Sequence, residues 1–284
     1  MGNGTYSFSA RASRASTLNY STATVDSLFE QNTKRVIHDS MRPRNAKLRE
    51  ARDSVTHPNT VPIIFNMDVT GSMGRIPEML VREGLPKMIG NIIEHGTPDP
   101  ALLFAAVGDH RTDSYPYQVG QFESGDAELD MWLTRTYLEG GGGGNGGESY
   151  LIPWYYAAFH TVTDSWEKRK KKGFLFTVGD EKCHMELPKL VINELFGDNA
   201  ETGFTMYDLL KAAQERWNVY HLNIAQTIEG RQSGDFWKEL LRENCIMVDD
   251  YKEVPNKIAD IIIGHTKDTI VGKTQPSKKE EEVL

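Results

Sequence analysis

The nine-residue run VPIIFNMDV (61–69) limits the fold more than any other stretch of this chain. It is almost wholly apolar and lies between the turn residues His57-Pro58 and Gly71. Such a run predicts a strand buried on both faces, and strands of that kind belong to parallel sheets covered by helices. The pattern recurs in ALLFAAVGD (101–109), GFLFTVGD (173–180), NVYHLNIA (218–225) and CIMVDD (245–250). PYQVGQF (116–122) follows the second of these runs across the short polar loop HRTDSY, which implies an antiparallel hairpin at one edge. Helical periodicity fills the intervals: Ile76, Leu80, Leu85, Met88, Ile92 and Ile93 mark a first segment, in which Pro86 predicts a kink or two helices. DAELDMWLTRTYL (126–138), residues 150–168, one or two helices in 186–217, DFWKELLRENC (235–245) and VPNKIADIIIGH (254–265) complete the alternation. The expected class is α/β: a Rossmann-like, doubly wound, mostly parallel six-stranded sheet with one antiparallel edge strand and helices on both faces.

The first sixty residues differ from the rest. They carry nine Lys/Arg against five Asp/Glu, while the remainder carries 23 against 35, within a net charge of −8. A basic arm on an acidic body is expected to pack against that body, and the acidic body argues against nucleic acid as a partner. Residues 1–24, rich in Ser, Thr and Ala, predict an extended or poorly ordered arm. Residues 25–54 predict two helical pieces, broken by Pro43, with NAKLREARDS (45–54) as a short charged helix. No stretch approaches the ~18 consecutive apolar residues of a membrane span, and the N-terminus has no apolar core of a secretory signal. Cys183 and Cys245 supply no disulfide framework. The expectation is a cytoplasmic location: host cytoplasm, or a virion if the chain is of phage origin. Three parts follow: an arm (1–58), one α/β domain (59–268) and a disordered charged tail (269–284).

Ligands of such sheets bind at the carboxyl ends of the strands. After the first strand comes Asp68-Val-Thr70-Gly-Ser72-Met-Gly74. A carboxylate and two hydroxyls on alternate residues of an extended loop point to one side, and hard oxygens suit Mg²⁺, with Mn²⁺ or Ca²⁺ as alternatives. A helix N-cap by Thr70 or Ser72 is the plainer reading, but capping has no need of the strand-end carboxylate. After the fourth run comes Thr177-Val-Gly-Asp180-Glu181, and between the two lies a run of five glycines followed by Asn145-Gly-Gly-Glu148-Ser149. The glycine run lacks the Lys-Ser/Thr of a nucleotide-binding loop. Glu148 also reads as a first-turn helix acid, Asp180 as a turn residue. Cys183-His184 has no second Cys/His pair at ligand spacing. KRKKK (168–172) reads as a solvated helix end, and Trp154-Tyr155-Tyr156 as core.

The strand followed by D-x-T-x-S-M-G resembles the metal-ion-dependent adhesion site of von Willebrand factor A domains, over roughly residues 60–268. Asp68, Thr70 and Ser72 match that family's first element, with Thr in place of the usual first Ser, and Asp180 matches its third. The second element departs from the family's usual lone Thr. N-G-G-E-S resembles the loop of integrin beta subunits, where a Glu is the ligand, so Glu148 takes that role with Ser149 as the fallback. DVTGSMG followed by the glycine run is also similar to A-domain proteins of bacteria and phages. The resemblance implies a Mg²⁺ site of Asp68, Thr70, Ser72, Glu148 and Asp180, completed by an Asp or Glu of a protein partner. Three carboxylates against one dication imply weaker intrinsic affinity for that incoming carboxylate. An accessory cation at Asp109, Asp113 and Asn145 is the comparable second site, set against a reading of both Asp residues as loop-capping, solvent-exposed carboxylates.

The expected function is a metal-dependent protein-interaction module and not an enzyme. Two alternatives stand beside it. One is a structural component of a phage particle or other assembly that uses the N-terminal arm, which leaves a homo-oligomer or larger assembly open. The other is a metal-dependent phosphatase of the haloacid dehalogenase type with Asp68 as nucleophile, against which Thr70 stands where a second Asp is wanted.

Overall fold

The computed structural model describes residues 4–95, 97, 99–141 and 146–271. The chain begins with α1 (Phe8–Thr17), α2 (Val25–Leu28), α3 (Glu30–Lys34), β1 (Arg49–Ala51) and β2 (Val61–Asp68). It continues with α4 (Ile76–Met79), α5 (Leu85–Glu94), β3 (Pro100–Val107), β4 (Tyr117–Val119), α6 (Asp126–Thr134) and α7 (Leu151–Phe159). Then come β5 (Thr161–Thr163), α8 (Asp164–Arg169), β6 (Gly173–Gly179), β7 (Glu186–Leu187), α9 (Lys189–Phe196) and β8 (Phe204–Thr205). It ends with α10 (Met206–Gln214), β9 (Trp217–Ile224), α11 (Ile228–Leu241), β10 (Cys245–Val248) and α12 (Val254–Val271). Among the described residues no helix is long and apolar enough to cross a membrane.

Six strands form one sheet in the order β10-β9-β6-β2-β3-β4, parallel except that β4 runs against β3 at the edge. The class is therefore α/β with a mainly parallel six-stranded sheet and one antiparallel strand. Alternation along β2 builds both faces at once, because successive side chains of a strand point to opposite sides. Ile63, Phe65 and Met67 pack with Met88 and Ile92 of α5, Leu129 of α6 and Ile258 and Ile262 of α12. Ile64 turns the other way, to Leu151 and Trp154 of α7, Leu209 of α10 and Trp237 of α11. Trp154, Tyr155 and Tyr156 are all buried there, as core.

Register sets up the site. Asp68 lies opposite Val107 of β3, and Met67 opposite Val178 of β6. The carboxyl ends of three neighbouring strands therefore finish level, and Asp68, Asp109 and Asp180 emerge at one edge.

Three local expectations change and one holds. Residues 150–168 do not form one helix: α7 stops at Phe159, and Thr161-Val162-Thr163 becomes β5, paired in parallel with β1. Three β-branched residues in succession favour a pleated strand over a helix. The same pairing takes Arg49–Ala51 out of the charged helix expected at 45–54. Residues 76–94 do divide, through a π turn (Leu80–Gly84) just before Pro86, which has no N–H to continue the ladder.

The third change is in the arm. Phe8–Thr17 is helical, not extended: Ser7 accepts the Ala10 amide at 3.2 Å as its N-cap, and the segment is rich in Ala and Arg. Arg11 Nε and Arg14 Nε meet the two oxygens of Asp130 on α6 at 3.2 and 3.0 Å. Tyr20, Leu28 and Phe29 then enter the core on one face of the sheet, and Ala46 and Ala51 on the other. Of the tail expected at 269–284, residues 272–284 lie outside the described residues.

Candidate metal centre

Asp68 ends β2 with no exposed surface. The chain turns back at once, so the Thr70 amide donates to Asp68 Oδ1 at 2.8 Å and the Thr70 hydroxyl to the same oxygen at 2.5 Å. Thr70 Oγ1 is 3.3 Å from Ser72 Oγ, and Ser72 Oγ donates to Asp180 Oδ1 at 2.9 Å. The hydroxyls on alternate residues thus bridge the carboxylates of two adjacent strands, as the spacing predicts.

Two glycines make this packing feasible. A Cβ on Gly71 would lie 3.0 Å from the Gly140 carbonyl, where the glycine-rich loop crosses and Gly141 accepts the Gly71 amide at 2.6 Å. A Cβ on Gly179 would overlap the Tyr150 hydroxyl and crowd Asp68 Oδ2 at 2.9 Å.

Glu148 is buried, 4 % exposed, and is held by its backbone: its amide donates to the Lys182 carbonyl at 2.8 Å, and its carbonyl accepts the His184 amide at 3.1 Å. Its Oε2 has no hydrogen-bond partner, nor has Asp180 Oδ2. No ion pair among the described residues reaches Asp68, Glu148 or Asp180. Burial is the main cause that raises the carboxyl pKa of all three. Next in order, the Asp68 and Asp109 charges push Glu148 up, and the Asp180 charge opposes the hydrogen bonds that hold Asp68 down.

Two elements brace the acids from behind. The Tyr150 hydroxyl, at the start of α7, donates to Asp68 Oδ2 at 2.5 Å. Ser233 Oγ on α11 donates to the Asp180 carbonyl at 2.9 Å. Neither residue is signalled in the sequence, since nothing local to Tyr150 or Ser233 says which strand end it faces.

The accessory site expected at Asp109, Asp113 and Asn145 takes another form. Asn145 lies outside the described residues. Asp113 Oδ2 accepts the Asp109 amide at 2.7 Å, so this carboxylate caps its own loop, the plainer of the two sequence readings. Asp109, by contrast, is not the solvent-exposed carboxylate expected: it is fully buried, and its Oδ1 meets His184 Nε2 at 2.7 Å. Ser149, the fallback for Glu148, turns to this second group: its hydroxyl accepts the His110 amide at 2.8 Å and lies 2.7 Å from His110 Nδ1. Cys183 is buried in the core, where burial raises its pKa, while His184 beside it reaches Asp109.

The donor chemistry of the first group suits a hard divalent cation. Its donors are all carboxylate or hydroxyl oxygens, from three loops, and two buried carboxylate oxygens have no other partner.

No protein-family model and no curated protein sequence matches the chain. Among solved structures, the open conformation of the pilus adhesin SpaC from Lactobacillus rhamnosus GG aligns over 76% of this chain and 31% of that chain, at 10% identity and a TM-score of 0.49. A second form of the same adhesin gives 12% identity and a TM-score of 0.47. Proximal thread matrix protein 1 from the mussel byssus aligns over 72% of this chain and 47% of that chain, at 9% identity and a TM-score of 0.47. The chain thus spans less than half the length of each of these structures, and likenesses this distant carry no functional argument.

Proposed function

We propose that the chain is a divalent-cation-dependent protein-binding module of the von Willebrand factor A type. In this reading Asp68, Thr70, Ser72, Glu148 and Asp180 hold Mg²⁺, or Mn²⁺ or Ca²⁺ in its place, and an Asp or Glu of a protein partner completes the shell. One observation carries the reading: Asp68 and Asp180, linked at adjacent strand ends through the Thr70 and Ser72 hydroxyls, and Glu148, which feels the Asp68 charge, are buried with no basic partner among the described residues, and Glu148 and Asp180 each keep an oxygen without a hydrogen bond. Buried like charges in that arrangement are costly unless a cation or protons offset them. A bound Mg²⁺ supplies the positive charge and an open coordination position for an incoming carboxylate.

The protein's own part is positional. The Thr70 amide and the Tyr150 hydroxyl fix the two Asp68 oxygens, Ser72 ties Asp180 to the same loop, and the backbone of Glu148 is locked to residues 182–184. Binding is favoured over catalysis because Thr70 occupies the position where a phosphatase of the haloacid dehalogenase type needs an acid/base Asp.

Thermal unfolding in chelator and in Mg²⁺, Mn²⁺ or Ca²⁺ tests this. An ion at about 100 times its dissociation constant adds roughly 2.7 kcal/mol, a clear rise in melting temperature. That rise is expected for the wild type and not for Asp68→Ala. Peptides carrying a single Glu should then bind with the cation present, and their Gln counterparts should not. No stabilisation by any of the three ions, or an equal rise in Asp68→Ala, rejects the site.

A further inference from the structure

We propose that Asp109, His110 and His184 form a second metal site, one for a borderline transition-metal dication of the Zn²⁺ class. It shares no ligand with the all-oxygen centre and does not depend on that centre's function. Asp109 and His184 are buried, and His110 is half-buried at the rim. One donor atom from each of the three lies within 4.8 Å of the others. In a tetrahedral zinc shell, with ligands about 2.1 Å from the ion, neighbouring donors stand about 3.4 Å apart, so an entering ion replaces the 2.7 Å Asp109–His184 hydrogen bond, spreading that pair slightly, and draws His110 in.

The framework is already oriented. His184 Nε2 is 2.7 Å from Asp109 Oδ1, and the His110 and His184 rings stand edge to face with centroids 5.2 Å apart. Ser149 Oγ lies 2.7 Å from His110 Nδ1 and accepts the His110 amide at 2.8 Å, so the ring is held by a hydrogen bond from outside the ligand set. The Arg111 amide donates to Asp109 Oδ1 at 3.0 Å. His184 is pinned through its own amide, which donates to the Glu148 carbonyl at 3.1 Å.

An Asp–His hydrogen bond alone is a common structural pair. The added feature is a second imidazole brought to the same carboxylate. Two imidazoles and one carboxylate are a borderline donor set, which prefers Zn²⁺, Co²⁺ or Ni²⁺ to Mg²⁺. Three protein ligands in a tetrahedral shell leave the fourth position to water.

The test is a Co²⁺ titration of the full chain in excess Mg²⁺, read by ligand-field absorption and by the ion retained on dialysis. One Co²⁺ per chain is expected, displaced by Zn²⁺, in both the wild type and Asp68→Ala. His184→Gln keeps a donor toward Asp109 but loses the imidazole, and His110→Gln changes a rim residue that the core does not need. Each should weaken Co²⁺ binding by roughly tenfold or more while circular dichroism stays unchanged. If His184→Gln does not fold, His110→Gln decides. Binding that survives both substitutions, binding lost in Asp68→Ala but not in His110→Gln, or no retained ion in the wild type overturns the proposal.

Discussion

Tyr150 shows how a single hydroxyl sets the character of the first site. Its O–H points at Asp68 Oδ2 from 2.5 Å, with both residues fully buried. Asp68 Oδ1 has two donors from Thr70, so Tyr150 is what satisfies the other oxygen. Removing it by Tyr150→Phe keeps the ring packed against His221 and Trp237 but leaves a buried acceptor open. A loss of about 1–3 kcal/mol is expected in chelator, measured by urea unfolding. A variant as stable as the wild type would mean that water reaches the carboxylate. Asp68, Thr70 and Ser72 were readable in the sequence because their relation is local, two residues apart along an extended turn. Asp180 was readable because it stands where an apolar run ends. Tyr150 and His184 were not, because their partners lie 82 and 75 residues away, and no spacing rule connects such pairs.

At the scale of elements, the ribbon formed by β1 and β5 joins the arm to the body, and its charges make that joint sensitive to acid. Arg52 and Lys168 reach the two oxygens of Asp164 at 2.9 and 2.6 Å, and the Asp53 amide donates to Oδ2 at 2.9 Å. Burial alone would raise the Asp164 carboxyl, but hydrogen bonds from Lys168, the Asp53 amide and Arg52 outweigh it and hold the pKa down at about 2. An unfolded Asp titrates near 3.9, so the folded state binds this proton less readily. The resulting stabilisation is complete above about pH 4 and is lost as pH falls through about 2. Unfolding free energy measured across that window should fall less steeply in Asp164→Asn than in the wild type, and equal slopes would place the acid sensitivity elsewhere. The sequence placed the strands of the main sheet well, because long apolar runs have few other solutions. It misplaced this ribbon because three-residue strands depend on a partner more than a hundred positions away, and helical periodicity in the flanks masked them.

For the whole molecule, the question is whether residues 1–58 are an appendage or a share of the core. Charge divides the chain near residue 60, but burial does not follow that line. Phe29 and Met41 have no exposed surface, Leu28 and Ile37 are 4 % exposed, and the arm supplies apolar residues to both faces of the sheet. Truncating one buried Phe to Ala costs about 3–5 kcal/mol, which is a large fraction of the 5–15 kcal/mol that separates a typical domain from its unfolded state. Loss of the whole segment removes several such side chains. It also removes β1, leaves β5 without its neighbour, and strips the buried Asp130 of both arginines. The fragment 59–271 is therefore expected to lose its cooperative urea transition and its near-ultraviolet circular dichroism, although its helices and central strands retain their local propensities. Phe29→Ala in the full chain separates core loss from loss of the arm as a whole, and should lower the unfolding free energy by about 3–5 kcal/mol with the transition still cooperative. A peptide of residues 1–58 added to the fragment should restore the transition if the arm completes the core. A fragment that melts as sharply and at the same temperature as the full chain would instead make the arm a separable attachment, free to leave the body for a partner.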